Sequence, residues 1–180
     1  TCALPIYDMS IAYTGGGTPI SHSGNKSVVI YTAANADAAK YSSHANNLEH
    51  LQGVAQRLSL DDSKKYKLQF FYYRPNLVWG TTDVAANINH AEKIVVGIVS
   101  STEANVNTDY TYEEVITLEK TEGWKEYNIT FDLPDIIQKN PGKSFEKCAI
   151  FFNIVPEIDS AQKTLKTLVN LDDISLTETK

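Results

Sequence analysis

Residues 66–74 read YKLQFFYYR, and the order of their side chains constrains the chain most. Tyr66, Leu68, Phe70 and Tyr72 fall on one face of an extended segment, and Lys67, Gln69, Phe71 and Tyr73 on the other. Side chains alternate with period two along a strand, so this run fits a strand and defies a helical stripe. Seven further runs behave alike: 27–32, 54–60, 93–100, 112–118, 125–133, 147–155 and 168–176. They are rich in β-branched and aromatic residues, which suit a pleated, half-buried surface. Run 93–100 (KIVVGIVS) is almost continuously apolar.

Turn chemistry separates the runs. Gly15-Gly16-Gly17 with Pro19, then Ser23-Gly24-Asn25, punctuate the first part, and Asp61-Asp62-Ser63 and Asn140-Pro141-Gly142 come later. Helical periodicity is scarce. Residues 33–51 could hold a single turn or a loop, and 135–139 (DIIQK) a helical turn. The expected fold is all-β, a jelly-roll β-sandwich of two antiparallel sheets, with residues 1–180 as one module.

Composition narrows the partners. The chain has 180 residues and a net charge of −6. Acidity argues against nucleic acid, whose phosphates call for a basic patch. No apolar run reaches the ~18 residues of a transmembrane segment. The chain starts at Thr1 without an initiator Met or signal peptide, which reads as a mature product or a module excised from a larger secreted or surface protein.

The two cysteines, Cys2 and Cys148, lie near the chain ends. First and last strands commonly lie close in a sandwich, so the two could form a disulfide. Such a bridge closes a loop of roughly 147 residues, worth about 4–5 kcal/mol in the chain-entropy model. The alternatives are two unrelated buried thiols, or a lipidated Cys2.

Three blocks carry a family resemblance. Gly24-Asn25-Lys26-Ser27-Val28-Val29-Ile30 leads to GVAQRLSL at 53–60 and YKLQF at 66–70; Gly123-Trp124-Lys125 leads to Thr130-Phe131; and Leu171-Asp172-Asp173-Ile174-Ser175-Leu176 stands near the end. In this order they resemble the carbohydrate-binding modules of families four and nine, within the galactose-binding-like superfold. The resemblance spans residues 24–176 but departs at the N-terminus, where Ile6-Tyr7-Asp8-Met9 replaces the usual N-x-G-F-E, and in the long stretch 33–51. It implies an extracellular or cell-surface protein that binds polysaccharide and does no chemistry. It also implies that Trp124 packs the sandwich edge as a core residue.

Asp172 and Asp173 should point to opposite faces of a regular strand, Asp172 inward with Ile174 and Leu176. A buried carboxylate must be paired, hydrogen-bonded or metal-bound. The resemblance implies a structural calcium at this edge, and hard oxygen ligands suit that ion. The candidate ligands are Asp172, Asp173 and Asp8, the last as substitute for the missing N-terminal acid. The other reading is that Asp172 accepts backbone N–H groups and Asp173 is solvated.

Sugars stack on aromatic rings and bond planar polar groups. The candidates are outward residues: Gln69, Phe71 and Tyr73 on one strand, Phe151 and Asn153 on another, Arg57 on a third, and Trp79 in the loop 75–82. The bland reading is that loops cover Phe71 and Phe151 and that Tyr73 merely packs. Gln56 falls on an apolar face, where it should satisfy backbone groups. Catalytic patterns are missing: there is no HExxH, G-x-S-x-G, P-loop or CxxC. Glu113, Glu114, Glu119 and Glu122 offer carboxylates for a glycosidase pair, but nothing in the sequence selects that reading over a solvated acidic face. Asn25-Lys26-Ser27 and Asn128-Ile129-Thr130 fit the N-glycosylation sequon. The expected function is non-catalytic glycan binding; the alternative is a cell-surface adhesion or assembly domain that binds protein.

Overall fold

The computed structural model describes residues 2–3, 21–24, 27–32, 53–74, 88–100, 111–120, 122–155, 161 and 166–179. The strands in chain order are β1 (Cys2–Ala3), β2 (Val28–Thr32), β3 (Gly53–Leu58), β4 (Lys65–Tyr73), β5 (Ile88–His90), β6 (Lys93–Ser100), β7 (Tyr112–Thr117), β8 (Trp124–Asp132), β9 (Cys148–Val155) and β10 (Lys166–Thr179). The eight expected runs all form strands, within three residues at their ends. β1 and β5 lie outside those runs.

The strands make a jelly-roll β-sandwich. One sheet runs β1-β10-β4-β8, with β2 and β5 also paired to β10; the other runs β3-β9-β6-β7. One pairing departs from the expected antiparallel plan: β5 lies parallel to β10, with Ile88 opposite Lys166. β4 ends at Tyr73, opposite Asn170, so the start of β10 extends beyond it and β5 pairs with that extension.

The inward residues of β4, Leu68, Phe70 and Tyr72, are almost wholly buried, as the alternation requires. Across the gap the Phe70 ring meets Phe152 of β9 edge-to-face at 5.1 Å. β6 is buried on both sides, with Ile94 and Ile98 inward and Val95 and Val99 outward, each at 0% exposure. That double burial accounts for its unbroken apolar run.

Residues 133–139 form the helix α1 (Leu133–Lys139), the expected turn extended by two residues at its start. Pro134 suits the first turn, and the Asp132 carboxylate caps it by accepting from the Asp135 N–H at 3.3 Å. The segment 33–51 lies outside the described residues.

The disulfide expectation is corrected. Cys148 is a free, buried thiol. It opens β9 in the four-stranded sheet, whereas Cys2 lies on β1 in the opposite sheet, opposite Leu176. The Cys148 Sγ–H instead points to the Leu58 carbonyl at 3.5 Å. Burial, and then the nearby Asp62 charge, push this thiol up to about 12.

Candidate ligand-binding face

The two aspartates of β10 do not point to opposite faces. Asp172 stands opposite Phe71 and Ser175 opposite Gln69, so three steps along β10 match two along β4. The extra residue makes a β-bulge, and Asp173 takes a left-handed backbone with φ +46°. Leu171, Ile174 and Leu176 all stay buried, and both carboxylates reach residues 21–24. The inward placement of Asp172 is therefore corrected: the bulge breaks the alternation on which it rested.

Together the aspartates hold the turn. The Asp172 Oδ2 accepts from the backbone N–H of His22 at 2.7 Å and of Ser23 at 3.3 Å. Its Oδ1 accepts from the Asp173 N–H at 2.8 Å. Asp173 accepts from the Ser23 hydroxyl and from His22 Nδ1, each at 2.6 Å. The Ser23 hydroxyl, and after it the His22 ring, hold the Asp173 carboxyl below the usual carboxylate range.

This donor set bears on the expected calcium. A hard cation needs converging oxygens. Here N–H and O–H groups already point at the carboxylate oxygens, and among the described residues no three His, Cys, Asp or Glu side chains converge on one point. Asp8 lies outside the described residues.

The clamped turn lays His22 on the outer face of the six-stranded sheet. Its ring stacks on Phe71 at 3.7 Å between centroids and 14° between planes. Trp124 meets the His22 ring edge-on at 6.1 Å and leans against Tyr73 at 5.5 Å. Four rings from three parts of the chain thus form one cluster. Strand register explains it: Tyr73 pairs with Trp124, Phe71 with Glu126 and Gln69 with Asn128. All six project outward because Tyr72, Phe70 and Leu68 project inward. A polar strip therefore continues from the rings, and the Asn128 amide donates to the Glu126 carboxylate at 2.7 Å.

The sequence-derived candidates split between two opposite faces. Gln69, Phe71 and Tyr73 lie on this one, with one face of Phe71 taken by His22. Arg57, Phe151 and Asn153 lie on the outer face of the four-stranded sheet, where Ala55 pairs with Phe151 and Gly53 with Asn153. Phe151 is buried at 2% exposure, directly opposite Gly97, so its ring is not presented to a ligand there. Trp79 lies outside the described residues. Gln56 does face inward, and its buried Oε1 meets no donor among the described residues; the long connection 33–51 lies outside them.

Two members of the cluster were not foreseen. Trp124 does stand on the edge strand β8, but it lies half-buried on the outer face rather than in the core that the resemblance implies. Counting back from the inward Phe131 and Ile129 by twos gives Tyr127 and Lys125, which leaves Trp124 outward. His22 carried no local signal, because its seat is made by residues about 150 positions away.

No protein-family model and no curated protein matches this chain. Solved structures do. A non-crystalline cellulose specific carbohydrate-binding module, CBM28, is 13% identical with a TM-score of 0.48, covering 87% of this chain and 78% of that one. A CBM4 structure is 15% identical with a TM-score of 0.47, covering 77% and 67%. TmCBM61, in complex with β-1,4-galactotriose, is 12% identical with a TM-score of 0.46, covering 90% and 77%. Carbohydrate-binding modules are the neighbours that the sequence blocks imply. Likeness at this distance says nothing about a ligand, and the sandwich rests on the strand pairing itself.

Proposed function

We propose that this chain is a non-catalytic carbohydrate-binding module that holds a glycan on the outer face of its six-stranded sheet. The observation that carries the reading is the cluster of Trp124, Tyr73 and His22 over Phe71, continued by Gln69, Asn128 and Glu126. A pyranose presents apolar C–H faces and a rim of hydroxyls. Rings take the first and amides or carboxylates the second.

The carboxylates of this face support a binding role over a catalytic one. Glu126 accepts from Asn128, and Asp172 and Asp173 are taken up in holding the turn. Glycoside hydrolysis asks for two carboxyl groups flanking a bond, with one raised in pKa to act as acid. Asp173 is instead held low. A polysaccharide ligand places the module outside the cell or at its surface. Among the described residues no helix is long and apolar enough to cross a membrane.

Affinity electrophoresis through gels of hydroxyethylcellulose, galactan, xylan and laminarin tests the reading. The wild type should be retarded by at least one of them. Trp124→Ala and Tyr73→Ala should each weaken that binding about tenfold, ~1.4 kcal/mol. Arg57→Ala and Asn153→Ala, on the opposite face, should leave it unchanged. Absence of retardation in every gel would sink the reading, and losses confined to Arg57→Ala and Asn153→Ala would move the site to the other sheet.

A further inference from the structure

We propose that His22 contacts the bound sugar, its Nε2 accepting a hydroxyl, and that Asp173 and Asp172 are the positioning residues that present it. The inference rests on the glycan-binding reading above. It starts from the hydrogen bond between His22 Nδ1 and Asp173 Oδ2 at 2.6 Å. An ionised carboxylate only accepts, so the proton of that bond sits on Nδ1. In the neutral ring Nε2 then carries a lone pair, directed outward in the ring plane. Among the described residues Nε2 has no hydrogen-bond partner.

The ring's place is equally determined. One face lies flat on Phe71, and the side chain keeps 33% of its surface exposed. Trp124 stands beside it at 6.1 Å. A sugar stacked on Trp124 would therefore bring its hydroxyl rim alongside the imidazole. Residues 21–24 are fixed by two backbone bonds to Asp172 as well as the ring and hydroxyl bonds to Asp173. β10 keeps Asp173 in a left-handed conformation to supply both carboxylates on one side. A non-glycine residue held there is a local cost that concentrates at functional positions.

The test has one arm without ligand and one with it. Imidazole nitrogen NMR of the free protein, with the His22 signals assigned by loss in His22→Phe, should show the Nδ1–H tautomer. Asp173→Ala should turn it into a tautomer mixture, and Asp173→Asn, which keeps an acceptor oxygen, should largely preserve it. A wild-type ring protonated on Nε2 instead would overturn the positioning role, whatever the protein binds.

The second arm measures binding to the polysaccharide that retards the wild type most. His22→Phe keeps a ring on Phe71 but removes the acceptor. It should weaken binding about tenfold, while the melting midpoint drops only slightly through loss of the exposed bond to Asp173. Asp173→Ala should weaken it several-fold, and Asp173→Asn should recover most of that loss. Full affinity in His22→Phe, alongside lost affinity in Trp124→Ala, overturns the contact while leaving the glycan reading intact. A wild type that binds no polysaccharide overturns both, even if the tautomer is as expected.

Discussion

Asp173 accepts two hydrogen bonds from groups that lie 150 and 151 positions earlier in the chain. The Ser23 hydroxyl and the His22 ring both favour its charged form, so its folded pKa lies below the unfolded value of about 3.9. A carboxyl depressed in this way stabilises the fold fully above its unfolded pKa, and that contribution disappears as pH falls through the lower folded value. Asp172 on the same strand, His22 on the turn, Lys67 and Tyr73 on β4 and Glu126 on β8 are further titratable groups of this face. Asp173→Asn should therefore melt below the wild type at neutral pH. The two midpoints should converge in the window below about pH 4. Thermal melts from neutral to strongly acid buffer check this; a gap that stays constant through that window would show that the carboxylate charge is not what the turn depends on. The magnitude is small, because the side chain is 36% exposed.

At the scale of the element, the bulge in β10 was legible, but only in a place where regular alternation hid it. Leu171 and Ile174 are both apolar and three apart, so an unbroken strand cannot turn both to one side. The inserted residue between them resolves the conflict and carries both carboxylates outward. Parity along β8, counted from the buried Phe131 and Ile129, likewise puts Trp124 outside. β6 offers a sharper test of close strand packing. A Cβ on Gly97 would lie 2.4 Å from the Tyr112 carbonyl oxygen and 2.5 Å from the Phe151 ring. Backbone on the neighbouring strand cannot step aside as a flexible side chain can, so the glycine is required by close approach. Gly97→Ala should cost about 2 kcal/mol or more, in the range of overpacked interiors. Urea denaturation would register it as a lower midpoint at unchanged slope; an unaltered midpoint would mean that β7 and β9 do not flank β6 as closely as this.

Across the whole molecule, two sheets bury one apolar interior, and their outer faces look in opposite directions. Which residues alternate outward was readable strand by strand, since β4 and β9 each obey their own period. Which sheet each strand joins was not, because that is decided by pairings between distant runs; Gln69 on β4 and Arg57 on β3 both alternate outward, yet the sandwich sets them on opposite sides. The cysteines lie on strands of different sheets, a placement that a sandwich can bridge, but Cys148 is a free, buried thiol. What joins the sheets is packing such as Phe70 on Phe152, with no link through Cys148. A bridge closing so long a loop would add about 4–5 kcal/mol, several degrees or more in melting temperature for a chain of this size. Reductant should therefore leave the melting midpoint unchanged. In a Cys2→Ser variant the remaining thiol should resist maleimide at pH ~8, since burial keeps it protonated and covered. It should react fully once urea unfolds the chain. Prompt labelling of the folded Cys2→Ser protein, or a midpoint that drops when reductant is added to the wild type, would overturn the account of two sheets held by apolar contact.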